Sequence, residues 1–429
     1  MKKHRTIILI TLAIIVLSIL SFGAKQKNES FLFPGRAADK LTPPTFQNPM
    51  LHAQGTSIVD ATGTRIVFKG INAEGWLQWQ GLIFGAGFTS ETDMMNRLTS
   101  LAGKNEAERF RTGIYNNFLT IQDIEKMKQD DFNAIRLPFN HTILEDDANP
   151  YVYKQSGWDL LDKAVVWGEQ NNLYILLDLH SAPGGQSKLF TADPEKNNLL
   201  WKSDENKKRT VALWRAIASR YKDKTIVAGY DILNEPDPPS SADLINLYIQ
   251  ITDAIRSVDP YHLIVYEGTK FSSDFSLFEK RLDYNQAYSF HTYSLLGKDK
   301  KKELLTAVAD RSKNQNIPYF NSEFGANTAS WTKDAVQLLN DQQNSTSGWF
   351  FWNWKNTPNK NPGKYTNLWE IHAGDNWQKV ATWLSWPYPP SKKPTHEEVR
   401  MGIDEILSAV RIDKTTQNNQ TLRILMGTK

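Results

Sequence analysis

Two glutamates, each closing a short apolar and aromatic run, are the residues of this chain best placed for chemistry. Glu235 ends the run Tyr230-Asp231-Ile232-Leu233-Asn234 ahead of Pro236, and Glu323 follows Tyr319-Phe320-Asn321-Ser322 ahead of Phe324 and Gly325. Runs of this kind read as strands, so both carboxylates are expected at strand carboxyl ends, where parallel α/β folds place their active sites. Two carboxylates converging there suit cleavage of a glycosidic bond. One protonates the leaving oxygen, and the other captures or stabilises the oxocarbenium-like centre. The acid must keep its proton near neutral pH, which burial or a neighbouring negative charge achieves. Glu235 is expected as that acid and Glu323 as the nucleophile.

Other polar residues lie where they would support such a pair. Asn234, beside Glu235, is placed to bond a sugar hydroxyl. Arg136, near the end of the second strand, is a charge partner that would keep Glu323 ionised. His291 and Tyr293 are two apart and share one strand face, so Tyr293 is expected to hold Glu323 and His291 to orient or tune Glu235. His180 ends the third strand in Asp178-Leu179-His180-Ser181-Ala182-Pro183-Gly184-Gly185-Gln186, and Trp352 and Trp354, also two apart, would floor the sugar site. Taken singly, Arg136 reads as an ordinary ion-pair residue, the histidines as structural and the tryptophans as core. Their coincidence at several strand ends carries the weight. Asp178 and Asp231 read as structural acids of the barrel interior, Glu74 and Glu267 as further sugar-binding candidates.

The elements that must position these groups follow from hydrophobic periodicity. Strand-like runs occur at 66–72, 133–139, 173–180, 226–235, 263–268, 287–293, 317–325 and 348–354. Stretches of helical period at 158–171, 206–221 and 242–257 separate several of them. Strand and helix alternating eight times specify an α/β fold, a (β/α)8 TIM barrel forming a single catalytic domain. A doubly wound sheet would bring a Gly-rich phosphate turn after its first strand, and Asn72-Ala73-Glu74-Gly75-Trp76 is not one. The first βα loop is long, from 74 to 129, and 395–410 reads as the closing helix.

Composition bounds the rest. The chain has 429 residues, 40% hydrophobic and 23% charged, enough for a large core. A formal charge of +3 argues against nucleic acid as partner, and the absence of cysteine excludes disulfides and thiolate metal sites. The 14 Trp, 15 Tyr and 20 Phe supply ring faces suited to sugars. Lys2, Lys3, His4 and Arg5 precede an uncharged run over 6–24, the pattern of an export signal. Residues 1–23 are therefore expected to be a cleaved signal peptide or, if retained, a membrane anchor, making the protein secreted, periplasmic or cell-surface. Residues 24–46 read as a flexible tether, 47–412 as the catalytic domain of a monomer, and 413–429 as a polar carboxyl-terminal tail.

Together these residues resemble the family 5 glycoside hydrolases, retaining β-glycosidases of the large (β/α)8 clan. The matching pattern is Arg136 ending strand two, His180 after strand three, Asn234-Glu235 ending strand four, His291 and Tyr293 ending strand six, Glu323 ending strand seven and Trp352 ending strand eight. The resemblance covers roughly 51–390 and implies Glu235 as acid/base, Glu323 as nucleophile, and neither cofactor nor metal. Glu74-Gly75-Trp76-Leu77, the long first loop, the motif 178–186 and Gly348-Trp349-Phe350-Phe351-Trp352-Asn353-Trp354-Lys355 are most similar to the exo-β-1,3-glucanase branch and its bacterial relatives. That implies a β-1,3-glucan or related β-glucoside as substrate. Cellulases, mannanases and glycolipid-cleaving enzymes of the same family are the alternatives. Two other classes compete: a metal-dependent barrel hydrolase, which commonly needs a His-x-His pair absent from this chain, and an inactive carbohydrate-binding barrel, which would usually have lost a catalytic carboxylate.

Overall fold

The computed structural model describes residues 48–194, 198–293, 297–325, 328–341, 346–358, 367–385, 390 and 392–427. The segments 1–23 and 24–46 lie outside the described residues. Eight strands, β1 to β8, span Phe68–Asn72, Ala134–Asn140, Tyr174–Ser181, Val227–Asp231, Leu263–Glu267, Gln286–Tyr293, Tyr319–Gly325 and Gly348–Phe351. Each pairs in parallel with its sequence neighbour, and β8 closes on β1 with Gly348 opposite Phe68. This is the expected (β/α)8 barrel.

The helices expected near 158–171, 206–221 and 242–257 form as Gln155–Asn171, Asp204–Tyr221 and Ser241–Arg256. Ser203 and Ser240 cap the latter two by accepting from the N–H groups of Asn206 and Asp243. Leu213, Trp214, Ile217 and Tyr221, spaced at one, three and four residues, make a buried stripe on the first of these. The barrel floor is apolar: Phe68, Ala134, Leu176, Ala228, Leu263, Ala287, Phe320 and Phe350 form one cluster. Ile58 of the antiparallel strands His52–Gln54, Ser57–Val59 and Arg65–Ile66 joins it, with Leu51 just ahead of the first of them, so the amino-terminal hairpin plugs the bottom of the barrel. Polar side chains are thereby left for the opposite end.

Two strands stop short of the apolar runs that announced them. β4 ends at Asp231 because its pairing with β3 goes out of register there. Ile232 N–H donates to Val265 on β5 (3.3 Å), Asn234 N–H to Leu179 on β3 (3.1 Å), and Glu235 turns to a φ of 41°. β8 ends at Phe351, so Trp352 and Trp354 do not share one face of a strand. The long first βα loop is largely helical, with Glu91–Ala102, Lys104–Asn117 and Ile121–Gln129. The stretch read as a polar tail carries a strand, Thr416–Gln417, paired with Trp369–Glu370, and a helix, Asn419–Met426, that packs near Ala329–Asp341. Among the described residues no helix is long and apolar enough to cross a membrane.

Candidate active site

The carboxyl end of the barrel is organised around one guanidinium. Arg136 on β2 is fully buried. Its Nε donates to Asp231 (2.9 Å), its Nη1 to Glu323 (2.5 Å) and Asn72 (3.2 Å), and its Nη2 to Glu267 and Asn234 (3.0 Å each). Asp178 lies 3.1 Å from Nη2. A single cation thus faces four buried carboxylates. Burial drives Asp231 well above the ordinary carboxylate range and Asp178 above it, against the pull of Arg136.

Glu323 stands on β7 opposite His291 of β6, where the β6–β7 register shifts. One oxygen accepts from Arg136 and the other from Tyr293 Oη (2.5 Å). Burial raises the Glu323 carboxyl, but His291 and Arg136 outweigh it and hold the group below its ordinary range. Glu235 has different surroundings. Its backbone sits in the left-handed region, disfavoured for a residue with a Cβ, and its N–H donates to Glu267 Oε2 (2.7 Å). Its Oε1 is 2.8 Å from His291 Nδ1. Burial pushes Glu235 above the usual range, His291 draws it partly back, and the charges of Glu323 and Glu267 add to the rise.

His291 is the shared cation. Burial alone would lower it, but Glu267 and Glu323 raise it well above the ordinary histidine value. Both ring nitrogens then carry protons. Nδ1 reaches Glu235 and, at 3.5 Å, Glu323, while Nε2 lies 3.2 Å from Glu267 as an ion-pair contact rather than an aligned hydrogen bond. An oxygen of Glu235, an oxygen of Glu323 and a His291 nitrogen all lie within 4.8 Å of one another, a spacing a cation would accept. The oxygens of Glu323 already accept from Arg136 and Tyr293, and Arg136 together with His291 supplies the positive charge a metal would otherwise bring.

His180, past the middle of β3, has Asp178 at Nδ1 (2.8 Å) and Asn234 at Nε2 (3.3 Å). Its ring stacks on Trp352, with centroids 5.6 Å apart and planes at 20°. The structure therefore brings Arg136, His180, Asn234, Glu235, His291, Tyr293, Glu323 and Trp352 to one end of the barrel. Trp354 is not among them. It is fully buried, donates to Asp123 (2.8 Å) and packs on Phe132 and Trp369.

Two participants, Asn72 and Gln186, escaped the sequence reading, and a third has a different role from the one read there. Glu267, taken there for a sugar ligand, bonds Arg136 and the Glu235 backbone. Asn72 accepts from Arg136 and donates to Ser322 O (2.9 Å), and its alternation with Phe68 along β1 was the available signal. Gln186 Nε2 ties His180 O (2.7 Å) to Asn234 O (2.8 Å), a role that no local pattern announces.

Residues 98–358 match the family model described as cellulase, glycosyl hydrolase family 5. The chain belongs to glycosyl hydrolase family 5. Among similar proteins to this family 5 chain, a β-xylosidase of Phanerodontia chrysosporium is 36% identical over 251 residues, 58% of this chain and 52% of that protein. Endoglucanase C of Acetivibrio thermocellus is 32% identical over 184 residues, 42% and 52% of the two chains. The probable glucan 1,3-β-glucosidase A of Aspergillus fumigatus is 31% identical over 204 residues, 45% and 48% respectively. The chain spans about half the length of the curated relatives it matches.

Proposed function

We propose that this family 5 chain hydrolyses β-linked glucan with net retention, with Glu323 as nucleophile and Glu235 as acid/base. One observation carries the reading: two carboxylates with oxygens within 4.8 Å of each other are driven in opposite directions from the ordinary carboxylate range by their neighbours, Glu235 upward and Glu323 downward. Retaining enzymes place their two carboxyl groups about 5–5.5 Å apart, and inverting ones leave room for a water between them. Glu323, ionised, attacks the anomeric carbon while Glu235 passes its proton to the leaving oxygen. Arg136 and Tyr293 fix the Glu323 plane, and each carboxylate oxygen keeps a second lone pair for the attack. Glu235, now ionised, takes a proton from water, the water oxygen attacks the anomeric carbon, and the Glu323 ester bond breaks. His291 stays near both carboxylates throughout and stabilises whichever is charged.

β-1,3-Glucan or a related β-glucoside is the favoured substrate, supported by the motifs shared with the exo-β-1,3-glucanase branch and by the likeness to a probable glucan 1,3-β-glucosidase. The endoglucanase and the β-xylosidase keep β-1,4-glucan and β-xyloside in the panel to be assayed. Export is part of the same proposal, supported by the basic residues 2–5 and the uncharged run over 6–24. The test is product analysis of the purified chain on laminarin, carboxymethylcellulose, mannan and aryl β-glycosides, with Glu323→Ala as control. NMR of the first-formed sugar reads the anomer. β-Anomeric glucose from laminarin, absent in the control, is the expected result; an α-anomer would sink the double displacement.

A further inference from the structure

One carboxyl at the barrel mouth takes no part in the network around Arg136. Glu74 lies two residues beyond β1. Phe68 in the floor cluster, Gly70 against the Phe350 ring and Asn72 against Arg136 face the interior along β1, and Glu74 stands in the turn that follows, near enough to Glu323, Asp178 and Arg136 to feel their charges. Its backbone surroundings are fixed: Ala73 N–H donates to Arg136 O (3.0 Å), Gly75 N–H to Gln78 O (2.8 Å), and Trp354 N–H to Asn72 O (3.1 Å). Glu74 is fully buried, and neither carboxylate oxygen has a hydrogen-bond partner. Two buried donors in the adjoining segments are also unpartnered, Asn353 Nδ2 just past Trp352 and Trp79 Nε1 in the first βα loop. Buried polar groups are nearly always bonded, and a carboxyl with no partner at all is costly to keep. Burial first, then the charges of Glu323 and Asp178, push Glu74 well above the usual carboxylate range, in the direction of its neutral O–H form.

Topology says which part of a substrate it would meet. Glu235 follows β4 and Trp352 follows β8, four strands apart and so on opposite sides of the eight-stranded mouth. Glu235 serves the leaving oxygen, hence the sugar that stays on Glu323 extends away from β4, toward β8 and β1. Trp352 and Glu74 belong to that side. A neutral acid offers one donor and an acceptor, which complements a single hydroxyl, and it adds no negative charge beside the nucleophile.

We propose that Glu74 is a specificity-determining residue that recognises one ring hydroxyl of the sugar whose anomeric carbon Glu323 attacks. This rests on the glycosidase reading above. The experiment compares wild type, Glu74→Ala and Glu74→Gln on the aryl β-glycoside that wild type cleaves best and on its 3-, 4- and 6-deoxy analogues. Wild type should lose roughly 10- to 100-fold in kcat/KM on one analogue. Glu74→Ala should show that loss on the parent glycoside and no further loss on that analogue. Glu74→Gln, still a neutral donor, should stay within about tenfold of wild type on the parent. The melting temperature of Glu74→Gln, which keeps the volume of the side chain, should not fall, since no bond is removed; a purely structural carboxyl would lower it. Equal loss on parent and all analogues, or none on any, overturns the role of Glu74 alone. A wild type that turns over no β-glycoside removes the glycosidase reading and the proposal with it.

Discussion

Glu235 and Glu323 are the same residue type, share His291 and are both buried, so their difference must come from the rest of their surroundings. Glu323 has Arg136 and Tyr293; Glu235 has the unfavourable charges of Glu323 and Glu267. Activity needs Glu323 ionised and Glu235 protonated. kcat/KM should therefore fall at low pH through a limb below the ordinary carboxylate range, and at high pH through a limb above it. His291 lowers both groups, so His291→Ala should move both limbs of the profile to higher pH. Tyr293→Phe should raise only the acid limb, because Tyr293 acts on Glu323. A His291→Ala profile that keeps its limbs would refute the shared-cation account. Leaving-group dependence separates the two glutamates as well. Glu235→Ala should lose about 10²–10⁴-fold on a glucan, whose leaving oxygen needs the proton, and far less on an aryl glycoside with an acidic phenol. Glu323→Ala should fail on both.

At the scale of elements, apolar runs made the eight strands legible, and amphipathic period made the barrel helices so. Where β4 and β8 end was not legible. Those ends are set by which neighbouring strand takes the next N–H, a long-range matter that local hydrophobicity does not encode. Trp354 shows the consequence. Two-residue spacing put it beside Trp352, but once β8 stops it turns to helix Ile121–Gln129 of the first βα loop. There Asp123 closes a capping box with Thr120, accepts from Trp354 Nε1 and pairs with the buried Lys355 ammonium at 2.5 Å. Among the described residues its other hydrogen bonds go to the carbonyls of Phe118 (2.7 Å) and Val410 (2.8 Å), and it lies 5.6 Å from the centre of the Phe118 ring. Asp123→Ala should therefore leave a buried charge unpaired and cost about 3–5 kcal/mol in denaturant unfolding. Adding Lys355→Met should recover part of that loss, since the charge goes with its partner. If the double variant is no more stable than the single, the loss belongs to the helix cap and not to the ion pair.

For the whole molecule, the fold and most of the site were readable because an eight-fold βα repeat forces strand carboxyl ends to converge, whatever the loops do. What convergence does not encode is how the barrel closes, and this depends on two glycines. Gly70 leaves room for Phe350, whose ring atom would lie 2.1 Å from an added Cβ. Gly348, at φ +104°, opens β8 against Phe68, where a Cβ would come within 2.1 Å of the Phe68 carbonyl oxygen and 2.4 Å of its nitrogen. Both obstacles at Gly348 are backbone, so no rotamer relieves them. Gly348→Ala should destabilise the chain by at least about 2 kcal/mol, from the strained φ and the forced seam together. Gly63→Ala separates the two causes. It has a similar φ of +83° but nothing within 4 Å, so it carries only the backbone cost, about 1 kcal/mol. Gly348 is at the amino end of β8 and the site is at the other. The folded fraction of Gly348→Ala should thus turn over within roughly threefold of wild type while its urea midpoint drops. Equal midpoints for the two glycine variants would mean that the seam gives way to a Cβ, and that closure does not depend on the close approach of β8 to β1.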